Sequence, residues 1–282
     1  MTGAFAPKEK IMADFLIAVD MEGVHGVVGE PNKGLMVDLV DYKKAVVAAT
    51  GEVNAVAKGL FEAGAGKVYL WDNHGGLDNL FMELIDSRVK KVDPPKEMKS
   101  RLGFLKDINV SGIVYIGYHS REGSLNGILA HTYNSSAIQY VKVDGKPVGE
   151  LEFDSMIASF YGVPAIFAAS DDVCIGQVKE YDQRITTVIT KIGKGRNAAE
   201  FRPAEVVLSE IYEGVKKAAK NLYAPITEKY PKKIEIRYTR TERAAYAISE
   251  KKDIFGNRMR YGEDAHIVET EVHSVDELRL VY

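Results

Sequence analysis

The chain has a single cysteine, Cys174, in 282 residues. No disulfide can form within it, and a cysteine-based zinc site is excluded. Such cysteine usage fits a reducing cytoplasm, which is the expected location. Long apolar runs are also missing. The segment 15–19 is too short to span a bilayer, and Asp20 interrupts it, so no membrane partner is expected. Residues 1–10 hold no apolar core of signal-peptide length, and residues 1–13 are expected to form a disordered leader. There is no long basic run, and the net charge is −3, so nothing points to a nucleic-acid partner. Internal repeats and low-complexity segments are absent. The glycine-rich loop 23–37 lacks the Gly-Lys-Ser/Thr ending of a phosphate-binding loop, and Gly64-Ala65-Gly66-Lys67 precedes a strand instead of following one. What remains is 46% hydrophobic and 27% charged, the balance of an ordinary globular protein long enough for one large domain or two modest ones.

Strand-like apolar runs at 14–21, 67–72, 112–118 and 165–169 alternate with helical spacing at 38–63 and 151–161. This pattern predicts an α/β fold with a central, mainly parallel sheet flanked by helices. Shorter helices are expected at 78–86 and 96–106, and a short strand at 88–93. Residues 140–148 predict a hairpin with Asp144-Gly145 at its tip. From about 186 the character shifts. A strand at 186–190, a basic glycine-containing loop at 191–196, a helix at 203–221, strands at 234–238 and 266–272, a helical 240–248 and a short helix at 274–282 predict a smaller α+β C-terminal subdomain. The expected division is 14–190 for a metal-binding α/β catalytic domain and 191–282 for the subdomain.

In an open parallel sheet the site lies beyond the carboxyl ends of the strands. Four predicted strands end in chemistry: at Asp20, His74, His119 and Asp171. Asp20 and Glu22 sit two apart, so an extended chain projects them to one side. Two adjacent carboxylates repel unless a proton or a cation lies between them. Of the six histidines, His74, His119 and His131 lie in loops at or near strand ends. With Asp20, Glu22 and Glu150 they make a nitrogen-and-oxygen donor set suited to zinc, or to another divalent ion such as Mn or Co. Magnesium or calcium alone fit less well, because both prefer oxygen shells. Three carboxylates against two dications leave one positive charge, which a hydroxide neutralises, so the charge balance favours two ions.

Val19-Asp20-Met21-Glu22-Gly23, Asp72-Asn73-His74, Gly117-Tyr118-His119, His131 and the stretch from Lys146 to Leu151 resemble, in order and approximate spacing, the zinc D-aminopeptidases. These are the self-compartmentalising peptidases associated with dipeptide-transport operons. The resemblance implies two zinc ions per subunit held by Asp20, Glu22, His74, His119 and Glu150. It implies that His131 is the catalytic histidine, as nucleophile or general base. The implied reaction is hydrolysis of short peptides bearing an N-terminal D-amino acid, through metal-activated water. The implied assembly is a homo-oligomer, a decamer of two stacked pentamers, with the C-terminal subdomain supplying contacts. Departures fall near the substrate: Thr132-Tyr133-Asn134 after His131, Ser170 before Asp171, and a long loop around Gly29 to Gly34. The rival chemistry for the same donor set is a dinuclear metal hydrolase of another class, an amidase or a phosphoesterase.

Other residues carry plainer expectations. Asp20 is the better candidate to bridge two ions, and Gly23 lets the chain turn away. His25 is a loop residue or a support. Asp72, Asp171 and Asp172 either orient ligand imidazoles or serve as caps and loop acids. Cys174 is a small buried apolar group. Lys191, Lys194 and Arg196 are expected in a solvated basic loop.

Overall fold

The structure is a computed structural model that describes residues 12–75, 78–94, 101–249 and 259–274. The first elements are β1 (Phe15–Val19), α1 (Val40–Glu62), β2 (Val68–Asp72), β3 (Val89–Lys91), β4 (Gly112–Ile116), β5 (Ile138–Val143), β6 (Lys146–Val148) and α2 (Glu150–Phe160). They are followed by β7 (Ala165–Ser170), α3 (Asp172–Tyr181), β8 (Thr186–Ile189), β9 (Lys191–Gly195), β10 (Ala198–Phe201), α4 (Ala204–Lys220), β11 (Lys232–Tyr238), α5 (Thr241–Ser249), β12 (Arg260–Tyr261) and β13 (Ile267–Val272).

Every residue of β1 is buried. A strand apolar on both faces needs cover on both, which a parallel sheet between two layers supplies. β1 lies inside such a sheet, ordered β3-β2-β1-β4-β7-β8 and parallel throughout. Phe15, Ile17 and Val19 face a core built with Val53, Val56 and Leu60 of α1 and Val207, Ile211 and Val215 of α4. Leu16 and Ala18 face a second core with Leu151, Phe153 and Ile157 of α2 and Ile175 and Val178 of α3. That second core continues into an antiparallel sheet ordered β12-β13-β11-β5-β6.

The β5–β6 hairpin turns at Asp144 and Gly145, both at positive φ (51° and 79°). This is the backbone that Asp-Gly favours in a two-residue hairpin. The other neighbour of β5 is β11, far along the chain, paired at Ile236↔Val141.

Three expectations change. The helix at 78–86 is only a 3₁₀ turn, Met82–Leu84, because Asp72 captures the amides of Asn79 and Leu80 and holds the segment as a loop. The helix at 96–106 is a 3₁₀ turn, Gly103–Lys106, with part of the segment outside the described residues. The basic loop at 191–196 is strand β9, paired antiparallel with β10. Most of the expected leader and the helix at 274–282 lie outside the described residues.

Sheet order sets the site. β1 pairs with β2 on one side and β4 on the other, so the chain reverses its winding direction here. Such a reversal leaves a crevice at the carboxyl ends of the two strands. Val19 is level with Asp72 and Ile116. The next residues, Asp20, Asn73 and Gly117, therefore emerge side by side.

Candidate metal centre

Two glycines let the strand ends approach closely. A Cβ on Gly117, which sits at φ 71°, would lie 2.0 Å from the carbonyl oxygen of Asp20. A Cβ on Gly23 would lie 2.0 Å from the carbonyl oxygen of Tyr118. The Gly23 amide donates to the Gly117 carbonyl at 2.7 Å. Gly23 therefore serves close backbone approach; it is not among the residues at positive φ.

Asp20 and Glu22 project from this junction, both buried. His74 Nδ1 lies 2.8 Å from Asp20 Oδ1 and 3.1 Å from Glu22 Oε2. The other Asp20 oxygen, Oδ2, lies 3.6 Å from His119 Nε2. His119 Nε2 is 3.2 Å from Glu150 Oε1, which is in turn 3.8 Å from His131 Nε2. The rings of His119 and His131 stack 3.8 Å apart at 13°. All six residues singled out in the sequence, Asp20, Glu22, His74, His119, His131 and Glu150, thus meet in one crevice. Five of them, all but His74, form two overlapping donor groups. Asp20, Glu22 and His119 offer atoms within 4.8 Å of one another, and so do His119, His131 and Glu150.

The surroundings aim these atoms. His119 Nδ1 faces the Ser120 carbonyl at 3.1 Å, and His131 Nδ1 faces the Leu129 carbonyl at 2.9 Å. A carbonyl only accepts, so each Nδ1 carries a proton and each Nε2 is the nitrogen turned to the crevice, available as a donor atom when it is unprotonated. Glu150 is the first residue of α2, where the helix dipole favours a carboxylate. Its Oε1 accepts from the Tyr133 amide at 2.8 Å. Asp72 accepts from Asn79, whose amide group also donates to the His74 carbonyl, so Asp72 shapes the loop that carries His74. The His74 and His131 side chains keep 14% and 16% exposure against 1% for His119, so the crevice opens between the first two.

The donor set fits a divalent cation. His119 Nε2 is buried and has no hydrogen-bond partner, despite the acids around it. Burial, then the neighbouring Glu22, pushes the Asp20 carboxyl up to about 7. Burial resists charge on His119, but Glu150 beside it outweighs that and raises the imidazole to about 10. Burial and then the charge on His119 push His131 down. Without a cation, protons are thus held among these acids and imidazoles; a dication placed among the same atoms takes over that role.

A family model for the D-aminopeptidases, peptidase family M55, matches residues 14–254. The chain belongs to this family. A D-aminopeptidase of Bacillus subtilis (strain 168) is 26% identical over 186 residues, which is 65% of this chain and 65% of that protein. Among solved structures, the Zn-dependent D-aminopeptidase DppA from Bacillus subtilis, described as a self-compartmentalizing protease, matches with a TM-score of 0.82 at 20% identity. That match covers 94% of this chain and 93% of the other. At this identity the likeness shows the fold: a central parallel sheet flanked by helices, with antiparallel strands beside it.

Several other residues take clear roles. Asp171 does not join the crevice. Its Oδ1 accepts from the amides of Val173 and Cys174, capping α3. Asp172 accepts from the Gly193 amide. His25 binds Glu52, a buried acid of α1, through both Nδ1 and its amide. Cys174 is buried. Sequence reasoning missed a buried network behind the crevice. Arg101 Nε and Nη2 reach the two oxygens of Asp154 at 2.7 and 3.0 Å. Tyr118 donates to Asp154 at 2.8 Å and accepts from Asn73 at 3.1 Å. Asn73 and Tyr118 immediately precede His74 and His119, and Asp154 lies one turn after Glu150, so one network touches three segments that carry candidate ligands. The available signal was the run Glu150, Glu152, Asp154 in a helix whose first six residues are all buried.

Proposed function

We propose that this member of the D-aminopeptidase family is a zinc-dependent enzyme that removes N-terminal D-amino acids from short peptides. Two ions per subunit are held by Asp20, Glu22, His74, His119 and Glu150, and His131 moves the proton. The observation that carries this reading is the convergence of Asp20, Glu22, His131 and Glu150 on the buried Nε2 of His119, where the two donor groups overlap. The two oxygens of Asp20 face His74 and His119 separately, so this one carboxylate could serve both histidines' ions. Zinc bound there lowers the pKa of water and polarises a carbonyl.

The chain's own residues supply the rest. His131 keeps Nε2 as a proton acceptor because its Nδ1 proton is committed to Leu129. Its lowered pKa leaves it neutral near pH 7, able to take a proton and return it to the departing amine. Glu150 accepts from Tyr133 and stands between the two stacked imidazoles, so it favours the imidazolium that forms when His131 is charged. The partly exposed edges of His74 and His131 mark the side from which a peptide end would approach. The assembly is read as a cytoplasmic decamer of two stacked pentamers, with 191–282 supplying contacts; the description of the Bacillus subtilis relative as self-compartmentalizing supports it. Among the described residues no helix is long and apolar enough to cross a membrane.

The test is metal analysis coupled to hydrolysis of D- and L-dipeptides and a panel of phosphate esters. Two zinc ions per chain and chelator-sensitive cleavage of D-Ala-D-Ala are expected. A metal-free chain without chelator-sensitive activity, or one that cleaves only phosphate esters, overturns the reading.

A further inference from the structure

The hairpin 190–201 has a relation to the crevice that its composition conceals. Lys191 is completely buried. Its Nζ donates to the carbonyl oxygens of Glu22, Val24 and Val27 at 2.6, 2.7 and 2.6 Å. An ammonium has three N–H donors, and each finds one acceptor. The Thr190 hydroxyl donates to the Gly23 carbonyl at 2.6 Å, and Asn197 Nδ2 to the Val28 carbonyl at 2.9 Å. One side of the hairpin thus holds the loop that leaves Asp20 and Glu22.

The other side holds the loop that leads to His131. The Leu129 amide donates to the Arg196 carbonyl at 2.9 Å, and the Arg196 guanidinium donates to the Ala130 carbonyl. The hairpin is pressed onto this loop at Gly193, where a Cβ would lie 2.0 Å from the Asn126 carbonyl oxygen. Leu129 sits at φ 49°, a conformation an L-residue keeps only when its surroundings impose it. Its carbonyl is the one that orients the His131 ring.

We infer that the β9–β10 hairpin is a clamp setting the spacing of the two walls of the crevice, with Lys191 the positioning residue for Glu22 and Arg196 the positioning residue for His131. This deepens, and rests on, the zinc reading above. Main-chain carbonyls turned inward at 22, 24 and 27 cannot reach water. Without the ammonium the loop must open to solvate them, and Glu22 moves with it. Arg196 sits on the far side of the hairpin and acts on the proton-carrying histidine, so the two variants should fail differently.

The experiment compares zinc-loaded, full-length wild type, Lys191→Met, Thr190→Val and Arg196→Met. Zinc affinity is read by competition with a chromophoric chelator, and kcat and KM are measured at saturating zinc. Zinc binding by the wild type tests the metal reading; the ratio of each variant to wild type tests the clamp. Loss of a group that orients a ligand typically costs about 10–100-fold in metal affinity or activity. Lys191→Met should weaken zinc in that range, and Thr190→Val less but in the same direction. Arg196→Met should keep wild-type zinc affinity and KM while kcat falls about tenfold. A folded Lys191→Met chain with wild-type zinc affinity overturns the inference. If that chain does not fold, Thr190→Val with wild-type zinc affinity overturns it. A raised KM at unchanged kcat in Arg196→Met means that Arg196 touches substrate and refutes its positioning role.

Discussion

Replacing Arg101 with methionine removes the cation from Asp154, a carboxylate with no exposed side-chain surface. The guanidinium bonds both Asp154 oxygens and lies 5.1 Å from the ring centres of Trp71 and Tyr133. Removing one partner of a buried ion pair costs about 3–5 kcal/mol, because the other charge stays desolvated. At about 2–4 °C per kcal/mol for a chain of this size, the melting temperature should fall by about 10 °C. The loss should depend on pH. Burial already raises the Asp154 carboxyl above its ordinary 3.8, with Arg101 pulling the other way. Without Arg101 it rises further. The folded state then holds a proton that the unfolded state releases, so stability declines as pH climbs from 3.8 through the folded value. The deficit of Arg101→Met relative to wild type should therefore be small near pH 4 and large at pH 8. Thermal melts of chelated protein between those limits measure it. The double variant Arg101→Met/Asp154→Asn should recover part of the loss at pH 8 and show a flatter deficit, since Asp154 no longer carries a buried charge; Glu150, 3.9 Å from Arg101 Nη2, still loses that cation, so recovery is incomplete. A deficit under about 2 °C at pH 8, or one that does not change with pH, would refute the reasoning.

Zinc binding must expel protons from Asp20, held at about 7, and from His119, at about 10. Apparent zinc affinity should therefore keep rising between pH 6 and pH 9 in a chelator competition; a flat profile contradicts the donor assignment. Asp20→Ala should abolish binding of both ions, and retention of two ions with slower turnover would show that Asp20 does not bridge them. Asp171→Ala removes the cap of α3 and should cost at least about 1 kcal/mol, as melting would report. Gly117→Ala forces a side chain against the Asp20 carbonyl from a backbone at φ 71°, so it should cost at least about 3 kcal/mol and lower zinc content with it. Normal zinc in that variant would show that the strand ends tolerate a wider spacing.

The parallel sheet could be read from the chain because its strands are apolar without interruption and stop abruptly at polar residues, as at Val19-Asp20 and Ile116-Gly117. The β5–β6 hairpin could be read from Asp144-Gly145, where local backbone preference and structure coincide. The short helix expected at 78–86 failed for a local reason. Around Asn79 and Leu80 the amides are captured by Asp72, so a side chain outcompetes the helix ladder. The candidate ligands could be nominated because each lies at or just beyond a strand end or at a helix start, where topology brings such positions together. Asp171 occupies the same kind of position yet caps a helix. Position at a strand end nominates a residue, and only geometry separates a ligand from a cap.

What held the site together could not be read in the same way, and the reason is chemical. Ligand side chains must be Asp, Glu or His, so they mark themselves. Lys191 instead binds main-chain carbonyls of Glu22, Val24 and Val27, groups that every residue possesses. No residue type at 22–27 announces that a lysine 164–169 positions later will reach it. Lys191-Ile192-Gly193-Lys194-Gly195-Arg196 therefore looks like a solvated basic turn, although its first lysine is buried and its glycine is pressed against a neighbouring carbonyl. The same holds for Arg196 on Ala130 and for Tyr133 on Glu150, contacts in which one partner is backbone. In a centre of this kind, residue chemistry at the strand ends decides what can bind. Anonymous backbone contacts from distant elements decide whether the donors stand close enough to bind it.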